Sequence, residues 1–187
     1  MAPRAAIRHL PNTVSALRLL AAPFAAWLII AGHDIASLLV FVLAGGSDAV
    51  DGFIARRWGV TSTVGAWLDP VADKLLMLFC FTALFMVKAA PAWLVFLVIG
   101  RDVTITAGWL MVRWLHLPVT VQPLLIGKAS TVAQVLYILA MLLLLAFDLD
   151  MPRLAGAFAW ICGLVTALSA IAYAVVFLRG AVTPERA

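Results

Sequence analysis

Six runs of predominantly apolar residues follow one another along the chain, at 13–32, 35–57, 64–88, 91–115, 124–147 and 153–179, with only short links between them. Each is near or above the ~20 residues that an α-helix needs to cross the hydrocarbon core of a bilayer. In lipid, every backbone N–H and C=O must be satisfied internally, so apolar runs of this length fold as helices. The expected fold is an all-α membrane protein, a bundle of six transmembrane helices preceded by a short interfacial N-terminal segment, a helix or a lead-in, over Pro3 to Pro11. Composition agrees: 65% of the 187 residues are hydrophobic and 12% are charged, with a mean hydropathy of +1.11. The links, among them His33-Asp34, Ala90-Pro91 and Asp148 to Pro152, leave no room for a second domain, so residues 1–187 read as one membrane domain. The first run follows Arg4 and Arg8 as a secretion signal would. No small-residue cleavage site follows it and five more runs do, so it is expected to stay attached.

The basic residues give an orientation. With the N-terminus inside, Arg4, Arg8, Arg18, Arg56, Arg57, Arg113, Lys128, Arg179 and Arg186 fall on or near the cytoplasmic side, and Lys88 and Arg153 fall opposite. The positive-inside rule then places both termini in the cytoplasm, and the expected location is a bacterial inner membrane. The net charge of +4 reads as attraction to anionic head groups, not as a nucleic-acid surface. Cys80 and Cys162 lie in apolar runs without neighbouring histidines, so they read as small buried hydrophobes, with neither a disulfide nor a zinc site.

Against this background, the segment DAVDGFIARRWGVTSTVGAWLDPVAD carries four carboxylates: Asp48, Asp51, Asp69 and Asp73. An ionised side chain at membrane depth costs at least ~2.5–3.5 kcal/mol, so four of them require neutralisation and imply a function. Asp48 and Asp51 are three apart and Asp69 and Asp73 four apart, so each pair shares a face of its helix. A turn near Gly59 to Thr63 would join two antiparallel helices and bring the pairs to matching depths, opening toward the side of Arg56 and Arg57. Oxygen-only ligation suits hard divalent ions, with Mg or Mn the leading choices, and two such ions would balance four carboxylates. A metal pair can hold the attacking and leaving oxygens of a transferring phosphoryl group in line. Gly52 and Ala55 remove bulk next to Asp51, and Arg56 offers a fork of donors suited to phosphate oxygens.

The pattern Asp48-x-x-Asp51-Gly52-x-x-Ala55-Arg56, eight residues, Gly65-x-x-x-Asp69-x-x-x-Asp73 resembles the full signature of the CDP-alcohol phosphatidyltransferases. The likeness extends from Leu10-Pro11-Asn12 through Arg18 and Pro23 to Gln134. It implies a six-helix homodimer that binds CDP-diacylglycerol and two metals and releases CMP on transfer to an alcohol. By position, Asp48, Asp51 and Asp69 resemble metal ligands. Asp73 resembles both a metal ligand and the general base. Gly52, Ala55, Arg56 and Gly65 correspond to positions that accommodate the cytidine and diphosphate.

The acceptor is read from two further segments. GRDVTITAG at Gly100 to Gly108 and LPVTVQPLLIGKASTVAQ at Leu117 to Gln134 resemble the CMP-releasing cardiolipin synthases, which show a similar Arg-Asp pair. Gly127-Lys128 resembles the phosphatidylglycerophosphate enzymes instead. Phosphatidylglycerol is the leading acceptor and sn-glycerol 3-phosphate the alternative, with Arg101 and Lys128 as candidate acceptor-binding residues. For Arg101-Asp102 a structural ion pair within or between helices is an equal reading, and Lys128 also suits an interfacial anchor. Small residues in the last run, Ala155, Gly156, Ala159 and Gly163, suit close packing against a neighbouring helix, within the protomer or between protomers. A reading of a different class, a small proton or cation transporter, explains spaced acids but gives no reason for Gly52, Ala55 and Arg56.

Overall fold

A computed structural model describes residues 4–58, 63–114 and 124–182, with side chains described at 17–46, 71–112, 114 and 124–177. Among the described residues the structure is all helix: α1 (Arg4–Ile30), α2 (Asp34–Trp58), α3 (Thr63–Met86), α4 (Ala92–Trp114), α5 (Leu125–Ala146) and α6 (Pro152–Val182). Five of the six match the expected runs to within a few residues. The exception is the N-terminus, where the expected interfacial lead-in is continuous with α1 and the helix runs through Pro11 and Pro23.

Three helices end in the same way. At the end of α1, His33 N–H donates to Leu28 C=O and Gly32 N–H to Ile29 C=O, with Gly32 at φ +73°. This double bond pattern around a left-handed residue is the Schellman cap, which satisfies carbonyls that the helix itself leaves open. It recurs after α3, through Ala89 to Leu84 and Lys88 to Phe85, and after α5, through Leu149 to Leu144 and Asp148 to Leu145. The left-handed residues there are Lys88 at φ +62° and Asp148 at φ +49°. Tight caps of this kind let the next helix begin within a few residues. Asp34 opens α2, where its carbonyl also accepts from the Ser37 hydroxyl.

The chain forms two compact units. The first comprises Met1–Ala89 and Ile138–Asp150. In it α1 packs against both α2 and α3. Arg18, Ala22, Ala25 and Ile29, at helical spacing, form one buried face of α1, and Ala72, Leu76, Cys80, Phe81 and Leu84 form the buried face of α3. The alanines on both helices allow the backbones to approach closely, which is how helices associate where lipid removes the hydrophobic drive.

The second unit comprises Ala90–Tyr137 and Met151–Ala187, with α4 packed against α6. Two glycines make that packing possible. A Cβ at Gly163 would collide with the Trp93 ring, and one at Gly108 would lie 2.6 Å from Phe177. Of the two partners that the small residues of α6 left open, Gly163 packs against a helix of its own chain, and Trp93 also packs against Trp160 at 4.9 Å between centroids. Cys80 and Cys162 are both buried, in keeping with their reading as small buried hydrophobes.

Outward-facing positions are apolar: Leu20, Leu43, Phe96, Leu110, Trp160 and Leu164 are all exposed. Single exposed apolar side chains are ordinary, but whole helix faces of them mark surfaces that lipid or a protein partner covers. Segments of α4, α5 and α6, at Ala92–Val112, Leu125–Ala146 and Pro152–Phe177, are each long and apolar enough to cross a membrane. The chain is an integral membrane protein.

Candidate functional site

The expected acid site falls on α2 and α3. Asp48, Asp51, Gly52, Ala55 and Arg56 lie on α2, and Gly65, Asp69 and Asp73 on α3. With α2 ending at Trp58 and α3 beginning at Thr63, Asp51 and Asp69 each stand roughly 10 Å along the axis from those ends, and Asp48 and Asp73 roughly 15 Å. The equal distances from the two helix ends follow from the observed helix bounds, and both helices have α1 as a neighbour. The turn itself, at residues 59–62, and the side chains of Asp48, Asp51, Gly52, Ala55, Arg56, Gly65 and Asp69 lie outside the described residues. Asp73 is described. It is half-buried, one residue from the fully buried Ala72 and one turn from Leu76 and Met77, so it sits at the edge of the α3 face that packs on the core. Lys74 is exposed.

Among the described residues, no three His, Cys, Asp or Glu side chains cluster as a metal site. The donor set on α2 and α3 fits a divalent cation on chemical grounds: four carboxylates and no soft ligand. A cavity of about 640 Å³ lined by His33, Asp34, Leu39, Leu145 and Asp148 lies in the first unit. It is at the N-terminal end of α2, fourteen residues before Asp48, or about 21 Å along the axis, and is separate from the acid site.

The other candidate residues lie in the second unit. Arg101, in the middle of α4, is 7% exposed. A guanidinium in an apolar helix packing must find partners for its donors, and Arg101 finds them on three helices. Its Nε and Nη2 donate to Ser169 Oγ of α6 at 3.2 and 3.0 Å. Nη2 also donates to the Gly127 carbonyl of α5 at 3.2 Å, and Nη1 pairs with Asp102 at 2.6 Å. The guanidinium carbon stands 5.8 Å from the centroid of the Tyr173 ring, within cation–π range. The structural ion pair is therefore present, and the side chain also ties α4 to α5 and α6. Lys128 differs: it is exposed, one residue beyond the carbonyl that Arg101 holds.

A polar seam joins α5 to α6. Ser130 donates to Thr166 Oγ1 at 3.2 Å, and Gln134 Nε2 donates to both Ser130 Oγ and Thr166 Oγ1 at 3.3 Å. Tyr173 accepts from the Leu124 amide at 3.3 Å. Neither Ser169 nor Tyr173 stood out from the sequence. A signal was there: Thr166, Ser169 and Tyr173 follow the spacing i, i+3, i+7, and so do Gly127, Ser130 and Gln134. Polar or small residues at that spacing within apolar helices mark two facing polar stripes.

Residues 8–178 match the CDP-alcohol phosphatidyltransferase family, and the chain belongs to it. The match runs across both compact units. A Drosophila melanogaster protein named "Probable cardiolipin synthase (CMP-forming)" is 33% identical over 184 residues, covering 89% of this chain and 57% of the relative. The human cardiolipin synthase (CMP-forming) is 34% identical over 149 residues, covering 71% and 50%. The CDP-diacylglycerol–glycerol-3-phosphate 3-phosphatidyltransferase of Bacillus subtilis is 29% identical over 181 residues, covering 88% and 93%. The chain thus spans about half the length of the first two relatives and nearly all of the third.

Proposed function

We propose that this protein transfers the phosphatidyl group of CDP-diacylglycerol to an alcohol, with release of CMP, and that the alcohol is phosphatidylglycerol, giving cardiolipin. The observation that carries the transfer is the complete eight-position signature on α2 and α3, within a family match covering residues 8–178. In this reading Asp48, Asp51, Asp69 and Asp73 hold two divalent cations, Mg or Mn. When bound, the cations supply charge neutralisation at the diphosphate and acidify the acceptor hydroxyl. Gly52, Ala55 and Gly65 leave room for the cytidine and diphosphate, and Arg56 donates to phosphate oxygens. Asp73 accepts the hydroxyl proton as the acceptor oxygen attacks the lipid-side phosphorus. The bond from that phosphorus to the bridging oxygen breaks, and CMP leaves with the electron pair. With no separate nucleophile evident, the transfer is a single displacement.

The chain crosses the bilayer six times, with both termini and the acid site on the cytoplasmic side of a bacterial inner membrane, and it works as a homodimer. The distribution of Lys and Arg supports this orientation.

The preference for phosphatidylglycerol rests on charge. Glycerol 3-phosphate is a small dianion that needs dense basic contacts, whereas phosphatidylglycerol brings one phosphodiester charge and two acyl chains with binding energy of their own. On α4 and α5 the basic residues are Arg101, Arg113 and Lys128. Arg101 is already engaged by Asp102, Ser169 and the Gly127 carbonyl, which favours the less charged acceptor. The resemblance to a Bacillus subtilis glycerol-3-phosphate enzyme over 93% of that relative's length supports the second reading, phosphatidylglycerophosphate synthesis. An acceptor screen separates the two. CDP-diacylglycerol is offered with phosphatidylglycerol, glycerol 3-phosphate, inositol phosphate or serine, and CMP release is followed. Release with phosphatidylglycerol alone supports the first reading, and release with glycerol 3-phosphate alone replaces it.

A further inference from the structure

Arg101 and Tyr173 reach the start of α5, and Ser169 accepts from Arg101. Arg101 holds the Gly127 carbonyl and Tyr173 the Leu124 amide. Leu124 C=O in turn accepts the amides of Gly127 and Lys128, at 3.0 and 3.2 Å. The backbone of Lys128 is therefore fixed through a short chain of hydrogen bonds that begins on α4 and α6. Gly127 belongs to the device. A Cβ there would lie 2.7 Å from the Tyr173 hydroxyl, and would push that hydroxyl off the Leu124 amide. Arg101 is buried while Lys128, next in sequence to the Gly127 whose carbonyl Arg101 holds, is exposed. The two cations thus occupy different environments, and the buried one has its donors directed at protein oxygens.

We infer that Arg101, Ser169 and Tyr173 are positioning residues that hold the start of α5 so that the Lys128 ammonium meets the acceptor's phosphate, and that Arg101 does not itself contact the acceptor. The inference rests on the reading of Lys128 as an acceptor-binding residue, and it reassigns Arg101 from ligand contact to scaffold. An ammonium on a four-carbon stem is a mobile point charge, so the protein directs it chiefly through where its backbone starts. A neutral serine and tyrosine on α6 thereby influence the use of a substrate they never touch.

The test uses the full-length purified protein in lipid nanodiscs, with CDP-diacylglycerol and the acceptor that the screen identifies. Tyr173→Phe and Ser169→Ala each remove one hydroxyl and preserve shape. Each is expected to raise the acceptor KM about three- to tenfold, as the loss of one hydrogen bond would. The KM for CDP-diacylglycerol is expected to stay unchanged. In a Lys128→Ala background, Tyr173→Phe is expected to have no further effect, because both act through one contact. Arg101→Lys is expected to behave as Tyr173→Phe does, since a single ammonium cannot reach Ser169 and Gly127 together.

An acceptor KM that rises by the same factor with and without Lys128 overturns the coupling and makes Arg101 or its neighbours direct ligands. An unchanged acceptor KM in Tyr173→Phe and Ser169→Ala reduces the cluster to a structural tie and overturns the inference. An unchanged acceptor KM in Lys128→Ala alone removes Lys128 from the acceptor site, and the inference falls with it. CMP release by the wild type would still stand in that case, which separates this failure from failure of the transferase reading.

Discussion

Arg18 on α1 donates from Nε to the carbonyl of Ala44 on α2, 3.0 Å away, and only 2% of the residue is exposed. By the i→i+4 pattern of the helix, that carbonyl also faces the amide of Asp48, the first acid of the signature. A buried cation on the helix that packs against both acid-bearing helices is thereby fixed one turn from the start of the acid site.

Replacing it is costly. Arg18→Ala removes a large buried side chain and its bond to α2, and is expected to destabilise the protein by about 2–4 kcal/mol. CMP release should fall with it. Arg18→Lys keeps the charge but loses the planar fork of donors, and should recover only part of either property. Thermal unfolding of the purified variants, read beside CMP release, checks both. A midpoint unchanged in Arg18→Ala would show that the bond to Ala44 contributes nothing to the packing of α1 on α2.

The glycines of α6 should separate by what lies opposite them. Gly163 faces the Trp93 ring, whereas a Cβ at Gly156 would have no neighbour within 4 Å. Gly163→Ala is therefore expected to cost about 1–3 kcal/mol through overpacking. Gly156→Ala should stabilise by up to about 1 kcal/mol through helix propensity alone. Unfolding midpoints that moved in the same direction for both variants would contradict the α4–α6 packing described here.

The aspartates should behave as a set. Asp48→Asn, Asp51→Asn, Asp69→Asn and Asp73→Asn are each expected to abolish most CMP release while leaving the protein folded. Chelation of divalent ions by EDTA should do the same to the wild type and be reversed by Mg or Mn. Retained activity in EDTA, or in any two of these variants, would exclude a two-metal site.

Nucleotide binding should be separable from chemistry. Arg56→Ala should weaken binding of CDP-diacylglycerol about tenfold or more, by removing charge-assisted contacts to the diphosphate. Gly52→Val should block entry by bulk. Direct titration with CDP-diacylglycerol or CMP reads both, and wild-type affinity in both variants would move the nucleotide elsewhere.

The helices were legible because apolar runs of bilayer length leave the backbone no alternative. α2 was expected at 35–57 and is found at Asp34–Trp58; α4 was expected at 91–115 and is found at Ala92–Trp114. That the N-terminal segment and the first run form one continuous helix from Arg4 was not legible, because hydropathy reports where lipid begins, while an established helix extends into polar sequence at little cost. The caps after α3 and α5 were hidden by their residues: Lys88 and Asp148 adopt a conformation that sequence reading assigns to glycine. The aspartates stood out in the sequence because charge in an apolar run is expensive; the side chains of Asp48, Asp51 and Asp69 lie outside the described residues. Ser169 and Tyr173 escaped notice because single hydroxyls in apolar helices carry no such cost, and their role depends on Arg101, sixty-eight residues from Ser169 in sequence.

The most direct measurement follows the lipid-side phosphate. CDP-diacylglycerol carrying a radiolabel in that phosphate is incubated with phosphatidylglycerol, Mg and the purified protein, and the products are separated. The account predicts that all transferred label appears in cardiolipin and that one equivalent of unlabelled CMP is released for each cardiolipin formed. Label in a water-soluble phosphate, or no CMP with any alcohol, would contradict phosphatidyl transfer. Label confined to phosphatidylglycerophosphate when glycerol 3-phosphate is supplied, with none in cardiolipin, would contradict the choice of acceptor.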